Sequence, residues 1–297
     1  LRLGIALVEN GIVRVRAGEN AHFNLKSIPP AIEELDDRHA AEAIADLVPD
    51  ALAATLYLWN IERTLRILRL VRQYRPGIKI AVGGPEVAWP HPFLFRRAGF
   101  DYAVVGEGEA VFPSILRTLR GGPHPDFDTV FEFRRGILHK GRRPTPQLPL
   151  EEIMPPPGFP GNKPDEHGMA YLETTRGCPL SCAYCRYPHF RRRVTSLAPQ
   201  AIAQRVAALR LRGAREIRLI DPTFNTHPSF DQVLSLLSRL NADRRIKFFA
   251  ELLADRLTPG QADLLAAAHF TDIKVGLQSR DSSVLKQIGR PTNLKKL

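Results

Sequence analysis

All three cysteines of this 297-residue chain lie in one short segment, Cys178-Pro-Leu-Ser-Cys182-Ala-Tyr-Cys185, with the spacing C-x3-C-x2-C. Thiolates this close together can hold three irons of a cubane cluster and leave the fourth iron open. Zinc is an alternative, because His189 follows Cys185 by four positions and would complete a Cys3His set. A third alternative is a reduced trio without metal. Clustered cysteines of this kind indicate a reducing compartment, so we expect the cytoplasm.

Strand-like and helix-like runs alternate along the C-terminal part of the chain and would position these cysteines. Strands are predicted at residues 169–175, 216–220, 246–250 and 272–276, each followed by a helix, and the cysteines come directly after the first strand. In βα barrels, polar residues at the carboxyl ends of strands are where chemistry is found, although turn and N-cap roles are the alternative. Five polar side chains occupy that level: Asp221, Asn225, Glu251, Gln278 and Ser279.

The residues around the cysteines are Thr174-Thr175-Arg176-Gly177 before Cys178, and Tyr184 directly before Cys185. They resemble those of the radical S-adenosylmethionine (SAM) enzymes. The resemblance implies a [4Fe-4S] cluster on Cys178, Cys182 and Cys185 whose open iron chelates SAM. It also implies an external electron donor of the flavodoxin or ferredoxin type. The implied domain is a βα barrel at residues 166–297, and with four predicted βα units we expect it to be partial and C-terminally incomplete. The implied SAM contacts are Tyr184, through its backbone, and Asp221, Glu251 and Gln278.

The N-terminal part of the chain alternates strand and helix at the pace of an open parallel sheet. Strands are predicted at residues 51–57, 78–82 and 102–105, and helices at 61–74, near 92–98 and after 109. This alternation predicts an α/β domain at residues 1–120 with a doubly wound, flavodoxin- or Rossmann-like sheet. Ligands of such sheets lie outside the carboxyl ends of the strands. Leu1, Ile5 and Val8, ahead of these strands, have a helix-like spacing.

Three loops at those strand ends resemble the cobalamin-binding domain that precedes the barrel in one large class of radical SAM enzymes. Their sequences are Tyr57-Leu-Trp-Asn-Ile-Glu62, Val82-Gly-Gly-Pro-Glu86 and Val105-Gly-Glu-Gly-Glu109. Glycines there would let the backbone approach a flat corrin, although tight turns, core packing and helix capping are alternatives for single residues. The implied cobalamin contacts are Tyr57, Trp59, Asn60, Gly83, Gly84, Pro85, Gly106, Glu107 and Gly108.

Histidine ligation of the cobalt from below is not expected. Cobalamin domains with that ligand carry Asp-x-His-x-x-Gly after their first strand, and nothing in this sequence matches it. The nearest string, Asp37-Arg-His39-Ala-Ala-Glu42, lacks the glycine and lies on a helix-like run ahead of the strand at residue 51. We therefore predict that His39 is a surface residue.

A proline-rich connector is predicted between the two regions, at residues 121–165, with a short hairpin inside it near 127–138. The net charge of +11 permits an acidic partner, but most arginines are spaced along helix faces, which favours a solvated surface. Arg191-Arg192-Arg193 is the one tight basic cluster in the sequence, and it would either bind a substrate or SAM carboxylate or be solvated. No apolar run reaches the ~18 residues needed to span a bilayer, so no membrane association is expected.

These resemblances imply a cobalamin-dependent radical SAM enzyme that methylates an unactivated carbon of a small-molecule or peptide substrate. A 5′-deoxyadenosyl radical from SAM would abstract hydrogen, and methylcobalamin would supply the methyl group. One alternative is cyclisation or rearrangement without methyl transfer. Another is a non-catalytic Cys3His zinc module with a basic nucleic-acid-binding surface. A methylthiotransferase acting on RNA fits poorly, because those proteins carry further cysteines in the N-terminal domain, and a nucleic-acid partner is not expected.

Overall fold

The computed structural model describes residues 5–14, 20–88, 91, 94–95, 99–118, 121–154, 156–158, 162–185, 187 and 193–296. It divides the chain into two compact units, Leu1–Gln147 and Leu148–Leu297. His189, Arg191, Arg192 and most of the helix expected near 92–98 lie outside the described residues, so the predictions made for them stay predictions. No helix in the described ranges has the length and apolar character that crossing a membrane requires.

The first unit is built on a mixed sheet whose centre is parallel. The central strands β3 (Ala51–Thr55), β4 (Lys79–Gly83) and β5 (Tyr102–Val104) are parallel neighbours. An antiparallel hairpin flanks them on each side: β1 (Ile5–Arg14) with β2 (Asn20–Ser27), and β6 (Val130–Arg134) with β7 (Ile137–Lys140). The resulting order of the seven strands is β2-β1-β3-β4-β5-β6-β7.

Helices cover both faces of this sheet. They are α1 (Pro30–Glu33), α2 (Asp37–Asp46), α3 (Ile61–Tyr74) and α4 (Phe112–Thr118). The apolar side of α3 packs with Ile80 and Val82, whereas α4 packs with Ala81 and the other side chains of the opposite face. Successive residues of a strand point to opposite faces, so one run of apolar residues in β4 serves both layers. The predicted doubly wound α/β architecture is confirmed.

Two expectations for this unit need correction. The helix-like spacing at Ile5 and Val8 does not form a helix, because the backbone there is β1, which pairs with both β2 and β3. The predicted connector at 121–165 also differs in extent. The hairpin inside it is present, but it extends the first sheet through β6, and the two units divide after Gln147. The prolines of this segment lie outside the paired residues of the hairpin, so they do not remove any of its ladder donors.

The second unit repeats strand and helix around a parallel sheet. Its strands are β8 (Met169–Leu172), β11 (Glu216–Leu219), β12 (Lys247–Leu252) and β13 (Phe270–Val275). Its helices are α5 (Leu150–Ile153), α6 (Pro199–Leu211), α7 (Phe230–Leu240), α8 (Pro259–Ala267) and α9 (Ser282–Gln287). The four strands are ordered β13-β12-β11-β8, which confirms a partial βα barrel. A separate two-stranded ladder joins β9 (Thr175–Arg176) to β10 (Thr195–Ser196).

The helices α6, α7 and α8 cover one face of this sheet. Leu172, Leu219 and Phe248 point into the shared core with the helices. On the opposite face, Tyr171 is 57% exposed, and the guanidinium of Arg218 lies 4.6 Å from the centre of the Phe249 ring. The carboxyl ends of all four strands meet at one edge because the strands are parallel, and the cysteine segment leaves from this edge.

Candidate functional site

The cysteine loop leaves the second sheet after β8 and closes on itself before α6 begins. The antiparallel pairing of β9 with β10 brings the two ends of residues 177–194 together. Gly177 stands where these ends cross, with φ at +102°, and a Cβ atom there would lie 2.3 Å from the carbonyl oxygen of Arg193. A side chain would therefore force the base of the loop apart, which explains the glycine directly before Cys178.

The three thiols are free and share one small apolar cluster with Leu180 and Leu253. Cys178 and Cys182 are buried, and Cys185 is partly exposed. Within the described ranges, no three cysteine, histidine, aspartate or glutamate side chains come together as ligands of a single ion. A cubane cluster places each thiolate on a different iron, whereas structural zinc gathers four ligands around one ion. Three free thiols in one loop are a donor set that fits an iron–sulfur cluster, and His189, the fourth ligand of the zinc alternative, lies outside the described residues.

Asp221, at the exit of β11, holds the start of this loop. Its carboxylate is buried and accepts hydrogen bonds from the amide of Thr174 at 2.8 Å and from the Thr174 hydroxyl at 3.0 Å. The amide and the hydroxyl of Thr175 also donate to it, the hydroxyl at 2.8 Å. Burial raises the pKa of Asp221 to about 6, and the hydrogen bonds from the two threonines oppose this rise.

Two further polar side chains near this edge are occupied by backbone groups. Asn225 donates to the carbonyl of Leu253 and accepts from its amide, each at 2.9 Å, and so links the loop after β11 to the end of β12. His227 is buried; its Nε2 lies 3.0 Å from the carbonyl oxygen of Leu197, and its Nδ1 accepts from the Ser229 amide. Burial lowers the pKa of His227, and acceptance at Nδ1 requires the neutral ring.

The other predicted SAM residues are more accessible than Asp221. Tyr184 is 55% exposed in the cysteine loop. Glu251, the fifth residue of β12, lies next to the carboxyl end of that strand and pairs with Lys274 at 2.9 Å, with both side chains exposed to solvent. Gln278 follows β13 with φ at +58°, a left-handed conformation that is uncommon for a residue with a side chain. The structure therefore places Glu251 near the carboxyl end of β12 and Gln278 after the adjacent strand β13, at the edge that carries the cysteines.

Arg290 is a neighbour of the cysteines that sequence analysis missed. Its Nη1 lies 3.9 Å from Sγ of Cys182, and its Nη2 donates to the carbonyl of Gly276 at 2.9 Å. The amide of Ala183 donates to the carbonyl of Ile288 at 2.8 Å, so the segment after α9 packs against the cysteine loop. Nothing in the local sequence marks this arginine, because its approach depends on the path of the chain beyond β13.

A buried ion pair between Glu173 and Arg176 also escaped sequence analysis. Nε of Arg176 donates to Oε1 of Glu173 at 2.8 Å, and Nη2 donates to Oε2 at 2.7 Å. Both side chains are largely buried. This bidentate geometry fixes both planes, which is the arrangement in which an ion pair is most effective. The pair spans the turn that carries Thr174 and Thr175, so it stiffens the entry to the cysteine loop.

In the first unit, the three glycine- and aromatic-containing loops lie at one edge of the sheet, because β3, β4 and β5 are adjacent and parallel. Tyr57 and Trp59 stack with ring centres 4.5 Å apart and planes 9° from parallel, and Trp59 is 60% exposed. Asn60 is buried instead; its side chain accepts from the Tyr57 amide at 2.8 Å and donates to the Thr55 carbonyl at 3.1 Å. The aromatic pair thus offers a flat apolar surface, while Asn60 maintains the loop that presents it.

The glycines of the other two loops differ in what requires them. Gly84 has φ at +103°, and a Cβ atom there would lie 2.8 Å from the carbonyl oxygen of Leu56, so the turn itself excludes a side chain. Gly83 is followed by the same turn, which Pro85 continues, and its carbonyl accepts from the Leu56 amide at 2.7 Å. A Cβ atom on Gly108 would meet nothing within 4 Å, so space is open beside the Gly106-Glu107-Gly108 loop. The residues at this edge fit a broad, flat ligand.

His39 is placed as the sequence predicts. It lies in the first turn of α2, where its side chain is 66% exposed and Nδ1 contacts the carboxylate of Asp36, the N-cap residue of that helix. This contact raises the pKa of His39 and lowers that of Asp36 to about 2. The imidazole is therefore engaged in capping at a position remote in sequence from the three loops.

Each half of the chain matches the model of a known family. Residues 172–297 match the radical SAM superfamily, and residues 15–116 match the B12 binding domain. The 2-(S-pantetheinyl)-carbapenam-3-carboxylate methyltransferase of Streptantibioticus cattleyicolor is 36% identical over 149 aligned residues, and the match covers 46% of this chain and 22% of that protein. The cobalamin-dependent radical SAM methyltransferase TokK of Streptomyces tokunonensis is 27% identical over 264 aligned residues, and the match covers 82% of this chain and 38% of TokK.

The fold also resembles a solved structure of OxsB, a cobalamin-dependent S-adenosylmethionine radical enzyme with aqua-cobalamin and S-adenosylmethionine bound. The TM-score is 0.70 at 18% sequence identity, and the match covers 88% of this chain and 40% of OxsB. At this identity the likeness concerns the fold. The chain spans less than half the length of each of these three relatives.

Proposed function

The chain belongs to the radical SAM superfamily and carries a B12 binding domain ahead of its radical SAM domain, and on this premise we propose that it is a cobalamin-dependent methyltransferase. Its proposed target is an unactivated carbon of a small molecule or peptide, and its proposed electron donor is a protein of the flavodoxin or ferredoxin type. The observation that supports this best is the group of three free thiols at the carboxyl edge of a parallel βα sheet.

Cys178, Cys182 and Cys185 are the proposed cluster ligands. Two of these thiols are buried beside Leu180 and Leu253, so the cluster would be shielded from water on that side. The proposed SAM contacts are the backbone of Tyr184 and the side chains of Glu251 and Gln278. Glu251 is suited to this role because its carboxylate is exposed and Lys274 engages Oε1, which leaves Oε2 to accept from a ligand hydroxyl or amine.

In the first unit, the exposed ring of Trp59, the partly buried ring of Tyr57 stacked on it and the loops around Gly83 and Gly106 would hold the corrin. No histidine is proposed on the cobalt, because His39 is engaged with Asp36 at the start of α2. When bound, SAM with the cluster supplies the radical and cobalamin supplies the methyl group. The residues of the chain bind and orient these groups and keep water from the reacting atoms.

The test is anaerobic reconstitution with iron and sulfide in the presence of hydroxocobalamin, followed by an optical spectrum and product analysis. We expect about four irons per chain and a bound corrin. Methyl transfer adds one methyl group to the substrate mass, whereas the cyclisation or rearrangement alternative does not. Stoichiometric zinc without iron uptake would contradict the proposal and support the zinc module.

A further inference from the structure

The family resemblance implies that Asp221 contacts SAM, but the position of this residue favours another role. It is 2% exposed. Its two oxygens accept four hydrogen bonds from the Thr174-Thr175 pair, two from amides and two from hydroxyls. Three of the four bonds go to Oδ1, and the bond from the Thr174 hydroxyl goes to Oδ2. The threonines therefore engage both oxygens, and the carboxylate, which is 2% exposed, presents almost no surface to which the amino group of SAM could bind.

The threonines that Asp221 binds stand at the base of the cysteine loop. Thr175 is the first residue of β9, which pairs with β10 and closes residues 177–194 into a loop. The carbonyl of Thr174 accepts from the Leu197 amide at 2.9 Å, and the Leu197 carbonyl is in turn bound by His227. One chain of hydrogen bonds thus runs from the end of β11 through the start and the end of the cysteine loop.

We propose that Asp221 is a positioning residue for the cysteine loop: it fixes the backbone at Thr174 and Thr175, and through it the placement of Cys178, Cys182 and Cys185. It makes no direct contact with SAM. The inference rests on the proposed function, since it assigns Asp221 a part in assembling the cluster. The Glu173–Arg176 pair spans the same turn, so a second interaction helps to fix it.

The experiment separates a positioning role from a SAM contact with two kinds of variant. Asp221→Asn removes the carboxylate, and the double variant Thr174→Val with Thr175→Val removes two of its donors while keeping the carboxylate in place. After anaerobic reconstitution, both are expected to lose most of the iron that the wild-type chain takes up. The electron paramagnetic resonance spectrum of the remaining reduced cluster is expected to change before SAM is added. The double variant Thr174→Ser with Thr175→Ser retains both hydroxyls and should restore iron uptake and spectrum.

Asn241→Ala is the matched control. Asn241 is equally buried and makes three hydrogen bonds to Ile246 and Ala268, at the opposite end of β12 from the cysteine loop. It should lower the midpoint of urea unfolding and leave the cluster spectrum of the folded protein unchanged. Circular dichroism and urea midpoints of all variants show which of them fold. If Asp221→Asn does not fold, the double variant Thr174→Val with Thr175→Val tests the inference.

Three outcomes are decisive against the inference or its premise. Normal iron uptake in Asp221→Asn, with loss of the spectral change that SAM causes, would make Asp221 a SAM contact. A wild-type cluster spectrum in the valine pair would show that the threonine hydroxyls do not position the loop. If the wild-type protein takes up no iron, the result contradicts the proposed function and therefore also the inference that rests on it.

Discussion

Asp221 should make the stability of the second unit depend on pH in the direction opposite to that of an ordinary paired carboxylate. Burial raises its pKa from 3.8 to about 6, so the folded chain binds this proton more tightly than the unfolded chain. Its contribution to the free energy of unfolding is therefore present in full below pH 3.8 and is lost as the pH rises through about 6. A pKa rise of this size corresponds to about 3 kcal/mol in the free energy of unfolding. The Asp221→Asn variant lacks this titrating group.

The assay is urea unfolding of the metal-free chain and of its Asp221→Asn variant between about pH 4 and about pH 7. The stability of the wild type relative to the variant should decrease by about 2–3 kcal/mol across this range. His227, whose pKa burial lowers, has the opposite dependence, since its contribution is lost as the pH falls. Because His227 is present in both proteins, its contribution to the free energy of unfolding cancels in the comparison. A difference that stays constant or grows with pH would show that the hydrogen bonds from Thr174 and Thr175 outweigh burial and keep Asp221 ionised.

Four further predictions concern the two candidate sites. Cys182→Ala should abolish iron uptake on anaerobic reconstitution, and retention of the full iron content would exclude it as a ligand. Arg290→Met removes a cation 3.9 Å from Sγ of Cys182, so the midpoint potential of the cluster should become more negative in a redox titration; an unchanged potential would contradict this. Asn60→Ala deletes the side-chain hydrogen bonds of the Tyr57 loop and should lower the free energy of urea unfolding by about 1–3 kcal/mol. His39→Ala should leave the corrin spectrum unchanged, and a nitrogen superhyperfine pattern from imidazole on cob(II)alamin in the unaltered chain would argue against a histidine-free cobalt.

Elements with strong local signals could be predicted from the sequence almost to the residue. The helix expected at 61–74 is α3, Ile61–Tyr74, because its apolar side chains recur at helical spacing and Pro76-Gly77 follows. The flanking hairpins were harder to place. Strand β1 pairs with β3 across some forty residues of chain, and such long-range pairing leaves no local pattern that separates a strand from a helix in a short apolar run. The same holds for β6, whose sequence lies in a proline-rich segment but whose partner is β5.

The cysteine loop could be located in the sequence, because three thiols at this spacing admit few chemistries. The groups that fix the loop could not. Arg290 reaches Cys182 from more than a hundred residues away, and the Glu173–Arg176 pair consists of residue types that are usually solvated. Arg290 is brought into place because the segment after α9 packs against the loop. The Glu173–Arg176 pair is strengthened because the turn at Thr174 is buried.

Polar residues at the carboxyl ends of parallel strands are equally consistent with ligand contacts and with links between strands, and the hydrogen bonds already made decide between the two. Asp221 and Asn225, both in the segment that follows β11, are hydrogen-bonded to neighbouring chain segments. Glu251, one strand further along, is exposed and pairs through one oxygen with Lys274, which is itself exposed. An exposed ion pair of this kind contributes about 0–1 kcal/mol, so a ligand can displace it at little cost. Burial thus divides the polar side chains at this edge of the second sheet: Asp221 is engaged with the entry to the cysteine loop, and Glu251 is the accessible side chain that we propose as the SAM contact.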